Sequence, residues 1–185
     1  MEEEEKIISA ANEEELWQQI NLEFTADPDP VEYHAVLELN ERRVILDIFN
    51  NHAVGFEAIS YTNFSAYLFG RDNFRFAIHN EGFTDEIGKL FGMQDFVIGY
   101  KEFDERFVIK TNNEQKFSTL FADTTVRNTL IKLPKLSFEI VEYTLEDADG
   151  KAPFLELKIE KYISDPAELK RIYHAFYSVL LLIEA

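Results

Sequence analysis

The C-terminal segment constrains the fold more than any other part of the sequence, because it specifies a long amphipathic helix over about 166–183. Asp165 can cap this helix, Pro166 can occupy its first position and Glu168 can complete a capping box. The apolar residues form one broad stripe: Leu169, Ile172, Tyr173, Phe176, Val179, Leu180 and Ile183. A stripe of this width is typical of a helix packed on a core. We therefore expect it to lie across a sheet, with a partner-binding helix as the alternative.

The first half of the chain has the alternation of β-strands. Apolar and polar residues alternate over 33–40, 43–48 and 73–79, and residues 54–61 are predicted as a further strand. Short connections between these four strands, which span about 33–80, favour an antiparallel meander. A helix over about 12–23, capped by Asn12, is predicted to precede them, with an earlier start near Ile7 as the alternative.

The segment 84–161 mixes helices and strands. Thr84 can cap a short helix that ends at Gly92, and residues 103–110 alternate as a strand with Asp104 and Arg106 on one face. Two more helices are predicted after caps at Asn112 or Asn113 and at Asp123. Residues 136–144 and 153–161 form a hairpin, since Asp149-Gly150 between them is a strong turn signal.

These elements predict an α+β fold in one domain over 1–185. It has a largely antiparallel sheet, short helices in the second half and the C-terminal helix packed on the sheet. No repeat, low-complexity linker or change of composition divides the chain.

Charge narrows the classes of partner. The chain has 35 acidic and 18 basic side chains and a formal charge of −17, which repels phosphate backbones and anionic lipid surfaces. We therefore expect neither nucleic-acid nor membrane binding, and a basic protein or a second copy of the chain is the expected partner. No apolar run is long enough to span a bilayer, and the acidic N-terminus is unlike a secretory signal. These features predict a cytoplasmic protein.

Catalytic and cofactor motifs are missing from the sequence. It contains no Cys, no phosphate-binding glycine loop and no nucleophile elbow, and we predict no catalytic residues, metal or cofactor. His34 and His79 fall on the polar sides of predicted strands, where they could converge with Asp47 or Glu57 if those strands were neighbours. Such convergence would create an acid–base or metal site.

The segment from Glu81 to Lys110 is the most distinctive in the chain. Its glycines indicate tight backbone geometry. Gln94 and Asp95 are predicted in a connecting loop, ahead of the strand that carries Asp104 and Arg106. A structural corner explains this pattern, and a binding site that uses these four side chains is the alternative.

The same segment resembles a family of uncharacterised bacterial proteins. The run IGKLFGMQDFVIGYKEFDERFVIK is similar to that family's motif, in which klfGxQD and a glycine precede FDxrFvik and then a helix. The residues DTTVR at 123–127 fit that helix, and the resemblance covers about 74–131. It implies a bacterial origin and a shared fold, and it implies no activity and no catalytic residues.

Two functional hypotheses follow. The first is a non-catalytic, acidic interaction or self-associating module. The second is a small-ligand-binding protein or hydrolase-like enzyme that places carboxylates and histidines on polar strand faces.

Overall fold

A computed structural model describes residues 5–51, 59–69, 72–80, 93–144 and 150–185. Their fold is α+β, as predicted, with helices packed on a largely antiparallel sheet. The strands are Ile7–Ala10 (β1), Glu32–Leu39 (β2), Arg42–Asn50 (β3), Ser60–Tyr67 (β4), Phe76–His79 (β5), Gln94–Phe96 (β6), Val108–Thr111 (β7), Leu136–Thr144 (β8) and Lys151–Ile159 (β9). The helices are Glu13–Ala26 (α1), Lys101–Arg106 (α2), Glu114–Leu120 (α3), Thr124–Lys132 (α4) and Pro166–Glu184 (α5).

The nine strands form one sheet in the order β1-β2-β3-β4-β9-β8-β5-β7-β6. The antiparallel meander is confirmed for β2, β3 and β4, but its extension to β5 is wrong, because the β8–β9 hairpin lies between β4 and β5. The strand predicted at 54–61 falls mostly outside the described residues. The observed strand β4 begins at Ser60, and its inward positions include Thr62 and Ala66, which give little apolar alternation.

The chain before α1 is a strand. Residues Ile7–Ala10 pair in parallel with β2, although their apolar spacing also allows an early start of the helix. The side chain of Asn12 accepts a hydrogen bond from the backbone N–H of Glu15 at 2.9 Å, and an N-cap residue has extended backbone geometry. The helix therefore starts after Asn12 and leaves the β-branched Ile7 and Ile8 to the sheet.

The strand predicted at 103–110 is wrong in its first half. Residues Lys101–Arg106 form α2, and only Val108–Thr111 form a strand. Phe103 and Phe107 are four residues apart, a spacing that suits one helical turn as well as one face of a strand. Their rings are in contact, with centroids 4.9 Å apart, and Phe103 is buried against Phe121 of the helical layer.

The remaining predicted elements are found where the structure describes them. Asn113 and Asp123 cap α3 and α4 through bonds to the backbone N–H groups of Lys116 and Thr125. The strands β8 and β9 pair over their full length, while most of the turn between them lies outside the described residues. The helix predicted after Thr84 also lies outside them.

The C-terminal helix is a core element, which decides against a partner-binding helix. Asp165 caps α5 through the backbone N–H of Ala167 at 3.1 Å. Phe176 is fully buried between Phe64 of β4 and Phe138 of β8. The same face of the sheet receives the other helices: Phe24 of α1 packs on Tyr33 of β2. We call this side the helix-covered face, and the opposite side, on which none of the described helices packs, the open face.

Candidate interaction surface

Asp104 has a structural role at the corner after β6. Its two carboxylate oxygens accept hydrogen bonds from the backbone N–H groups of Ile98 and Gly99, at 3.0 and 2.9 Å. Gly99 has a φ of +94°, in the left-handed region that favours glycine. The carboxylate therefore fixes a tight turn, and the predicted placement of Asp104 and Arg106 on one strand face is wrong because both lie in α2.

Arg106 also bonds to backbone. Its guanidinium donates to the carbonyl of Leu133 at 2.7 Å, at the end of α4. Asn80 donates to the backbone carbonyl of Arg106 at 3.3 Å and accepts from the N–H of Leu136 at 2.8 Å. These bonds tie α2, the end of β5 and the start of β8 together.

Gln94 and Asp95 lie in β6 at the edge of the sheet, which corrects their predicted placement in a loop. Asp95 forms an ion pair with Lys110 of β7, with 3.6 Å between Nζ and Oδ1. Both β6 residues are exposed. Residues 94–106 therefore place Asp104 and Arg106 in a structural corner and Gln94 and Asp95 on an exposed edge strand.

Arg127, the last residue of the DTTVR segment, is the main polar residue that its sequence context did not single out. It is only 8% exposed, and its guanidinium donates to the carbonyls of Phe121 and Ala122, both at 2.6 Å. It also lies 3.4 Å from the centroid of the Tyr100 ring. A cation at the C-terminal end of a helix is favourable, so Arg127 joins the end of α3 to the corner at residues 98–104.

His34 and Asp47 do meet, as the sequence suggested they could. They are directly opposite each other on β2 and β3, and His34 Nδ1 lies 2.5 Å from Asp47 Oδ1. Both side chains remain partly exposed, at 48% and 31%. Glu57 lies outside the described residues.

His79 does not join them. It lies on β5, five strand steps from β2 in the sheet order, which corresponds to about 24 Å at the usual spacing of strands. It lies on the polar side of its strand, as predicted, but it is buried rather than accessible, with Nδ1 3.1 Å from the carbonyl of Asn80 and no hydrogen-bond partner for Nε2 among the described residues. The two histidines therefore do not form one site.

A single row of polar side chains nevertheless connects these two positions across the open face. Each member lies directly opposite the next on the neighbouring strand: His34, Asp47, Asn63, Lys158, Ser137 and His79. Directly opposed side chains on one face of a sheet lie about 5 Å apart. The open face is thus polar along this row, although Ser137 and His79 at its β8 and β5 end are buried, whereas the helix-covered face at the same strands is apolar.

The open face carries more acids than bases. Its acidic side chains are Glu32, Glu38, Asp47, Asp95, Glu139 and Glu156, and its basic ones are Arg43, Lys110 and Lys158. Burial, followed by the charges of Asp47 and Glu32, raises the pKa of Tyr61. The two carboxylates contribute because Asp47, Glu32 and Tyr61 lie on neighbouring strands of the same face.

Aromatic side chains flank the polar row on the open face. At one end the rings of Phe49 and Tyr61 stack with centroids 5.7 Å apart. At the other end a chain of ring contacts runs from Phe69 to Tyr67 (4.9 Å), Phe154 (5.7 Å) and Tyr143 (5.4 Å). We call the residues Tyr67, Phe69, Tyr143 and Phe154 the rim cluster. Three of its four rings, those of Tyr67, Phe69 and Tyr143, are exposed, and Phe154 is half-buried between them.

The described residues contain no group of three or more His, Asp or Glu side chains that could hold a metal ion. No helix among them is long and apolar enough to cross a membrane. The surface offers hydrogen bonds, carboxylates and rings, which are groups that recognise a polar or cationic partner.

The comparisons with known proteins add one structural similarity. The sequence matches no protein-family model and no curated protein. Its fold is similar to the crystal structure of the mycobacterial trehalose monomycolate transport factor A, with a TM-score of 0.46 and 9% sequence identity over 81% of this chain and 70% of that chain. Similarity at this level supports no inference about function.

Proposed function

We propose that this protein is a non-catalytic interaction module whose open sheet face binds a positively charged protein segment. The observation that carries the proposal is the asymmetry of the sheet. The described helices pack on one face, and the other face presents polar side chains, exposed rings and an excess of carboxylates. A face with this composition suits a polar, basic partner.

Long-range charge supports the same partner class. The chain carries a formal charge of −17, and a field of that sign accelerates encounter with cationic molecules and slows encounter with anionic ones. Two copies of the chain repel each other for the same reason. A basic partner is therefore favoured over a homodimer formed through the open face.

The buried stripe of α5 strengthens this assignment. Leu169, Ile172, Phe176 and Val179 are buried against the core, so this apolar surface is not offered to a partner. The open face, with its exposed residues on β2 and at the rim, is then the surface to which we assign docking. A bacterial origin, a cytoplasmic location and the absence of nucleic-acid, membrane and cofactor binding stay predictions from the sequence.

A charge-matched pair of variants tests the proposal. The first variant, Glu32→Gln with Glu38→Gln and Asp47→Asn, removes three acids from the open face. The second, Glu102→Gln with Glu105→Gln and Glu114→Gln, removes three exposed acids from α2 and α3 on the helical side. Binding of a hexalysine peptide is measured by isothermal titration calorimetry.

We expect the first variant to bind hexalysine about ten-fold more weakly, because three exposed ion pairs of about 0.5 kcal/mol each are lost. The second should bind within a factor of two of the wild type. Equal weakening in both variants would show that net charge alone attracts the peptide, and a stable dimer insensitive to hexalysine would favour self-association.

The pair His34–Asp47 favours a second candidate function, an acid–base site on the strand face. A carboxylate on Nδ1 orients the imidazole and leaves Nε2 to transfer a proton. Both side chains are partly exposed, whereas catalytic groups usually lie in concave sites that exclude water. The interaction module is therefore the stronger candidate.

The second candidate has an internal control. His174 of α5 also pairs with a carboxylate, Nδ1 lying 3.1 Å from Oε2 of Glu13. Hydrolase activity is measured on a panel of ester, phosphoester and glycoside substrates. Activity that is lost in His34→Ala and kept in His174→Ala would establish that His34 and Asp47 form a catalytic site. If no turnover depends on His34, this second candidate function is ruled out.

A further inference from the structure

We propose that the rim cluster is the anchoring site for an arginine side chain of the basic partner. This inference rests on the proposed function and names the position and the chemistry of its main contact. The cluster lies at the end of the open face where β4 and β8 finish and β9 begins.

The exposure of the cluster is the first observation. Tyr67, Phe69 and Tyr143 are 43%, 61% and 45% exposed, and Phe154 joins them as a half-buried ring. Contiguous exposed aromatic surface of this kind is uncommon on a protein that does not use it for contact. Aromatic rings also dominate the energetics of interfaces that contain them.

The carboxylate beside the rings is the second observation. The Tyr143 hydroxyl donates a hydrogen bond to Oε2 of Glu156 at 2.5 Å. An apolar partner would remove water from this carboxylate without replacing its hydrogen bonds, which is costly. A cation that lies on the rings and faces Glu156 replaces those bonds, so the site favours a charged partner over an apolar one.

The choice of arginine follows from geometry. A guanidinium is planar, so it can stack on a ring and donate in-plane hydrogen bonds to a carboxylate at the same time, whereas an ammonium acts as a point charge. The chain itself places a guanidinium on a ring twice, and in one case, Arg42, the guanidinium also pairs with a carboxylate, Glu184. The guanidinium carbon of Arg127 lies 3.4 Å from the Tyr100 ring centroid, and that of Arg42 lies 4.8 Å from the Phe69 ring centroid.

Arg42 also shows how one end of the cluster is held. It forms an ion pair with Glu184 at the end of α5 at 2.9 Å, and Glu184 accepts a hydrogen bond from the backbone N–H of Phe69 at 3.1 Å. These contacts fix Phe69 next to Tyr67. A site that is fixed before binding loses less conformational entropy when its ligand arrives.

The test measures binding of hexaarginine and hexalysine by isothermal titration calorimetry to the wild type and four variants. The first variant is Phe69→Leu with Phe154→Leu, which keeps apolar volume and removes two rings of the cluster. The second is Phe49→Leu, which removes a ring from the opposite end of the same face. The third is Glu156→Gln, and its matched control is Glu105→Gln on α2, a side chain that is 66% exposed. Circular dichroism of each variant is compared with that of the wild type to check that the variant is folded.

We expect wild type to prefer hexaarginine over hexalysine. We also expect Phe69→Leu with Phe154→Leu to bind hexaarginine about ten-fold more weakly, with hexalysine changed less than about three-fold, because cation–π contacts contribute about 0.5–1 kcal/mol each at exposed sites. Phe49→Leu and Glu105→Gln should stay within a factor of two of wild type, and Glu156→Gln should weaken hexaarginine by several fold.

Two results would overturn the inference, and they separate it from the proposed function. In the first result, loss of the two rings leaves hexaarginine binding unchanged, while removal of acids from β2 and β3 still weakens it. The open face would then remain the interface, and the arginine anchor would lie elsewhere on it. Absence of any hexaarginine or hexalysine binding at millimolar peptide would overturn both proposals. If the double variant aggregates, the single variant Phe154→Leu replaces it. We expect Phe154→Leu to bind hexaarginine about three-fold more weakly than the wild type.

Discussion

The two faces of the sheet use the same residue types in opposite ways. Phe138 and Phe154 lie on β8 and β9, two strands paired over their full length. Phe138 is fully buried and touches Phe76, Phe121 and Phe176, whereas Phe154 is half-buried and touches Tyr67 and Tyr143 on the open face. Aromatic content therefore does not distinguish core from surface in this chain. The position of each residue in the two-residue period of its strand makes that distinction.

The largest predicted effect tests this difference directly. Phe138→Ala should lower the free energy of unfolding by about 3–5 kcal/mol, because it leaves a cavity under α5. Phe154→Ala should lower it by less than about 1.5 kcal/mol, since that ring is only half-buried and its loss leaves a space that water can fill. Urea denaturation followed by circular dichroism measures both values. Equal losses would mean that the open face is as tightly packed as the helix-covered one.

Buried and exposed cations provide a second comparison. Arg127→Ala should cost about 2–3 kcal/mol, because the carbonyls of Phe121 and Ala122 lose a charged donor inside the protein. Arg43→Ala on the open face removes an exposed ion pair with Glu38 at 2.9 Å and should cost less than about 1 kcal/mol. Urea denaturation followed by circular dichroism measures both free energies of unfolding. A loss at Arg127 no larger than that at Arg43 would contradict the structural role assigned to Arg127.

The smallest predicted effect is a gain of stability. The Tyr173 hydroxyl is buried and has no hydrogen-bond partner among the described residues, so Tyr173→Phe should stabilise the fold by up to about 1 kcal/mol. Burial, with smaller contributions from Tyr177 and Glu13, raises the pKa of Tyr173 well above its usual value.

The pH dependence of this substitution has a definite sign. The unfolded chain loses the Tyr173 proton near pH 10 while the folded protein keeps it, so the stability from this group is complete below pH 10 and decreases as the pH rises further. The free energy of unfolding of Tyr173→Phe should therefore decrease less steeply above pH 10 than that of the wild type. Identical alkaline denaturation curves for the two proteins would contradict the shift.

Sequence patterns predicted the elements whose signals are local. Asn12, Asn113, Asp123 and Asp165 cap helices as expected, because capping depends on a side chain and the backbone two or three residues ahead. Strand pairing depends on distant parts of the chain, so the insertion of β8–β9 beside β4 had no local signal. Residues 103–107 were ambiguous because a spacing of four fits both periods.

The candidate site shows the same limit. The pairing of His34 with Asp47 required only that two consecutive strands be neighbours, and they are. The separation of His79 from them depended on the order of the whole sheet. The binding roles suggested for Gln94 and Asp95 stay predictions, while Asp104 and Arg106 bond to backbone groups of the corner.

The order of the strands also has a consequence for synthesis of the chain on the ribosome. One backbone edge of β4 pairs with β9, which lies about 90 residues further along the chain. One backbone edge of β5 pairs with β8, about 60 residues further along. Until residues 136–159 have emerged, both strands expose unpaired backbone groups, and such edges readily pair with other chains. Contacts between residues so far apart in sequence also form slowly. A nascent chain paused before residue 136 is thus the species most in need of a chaperone.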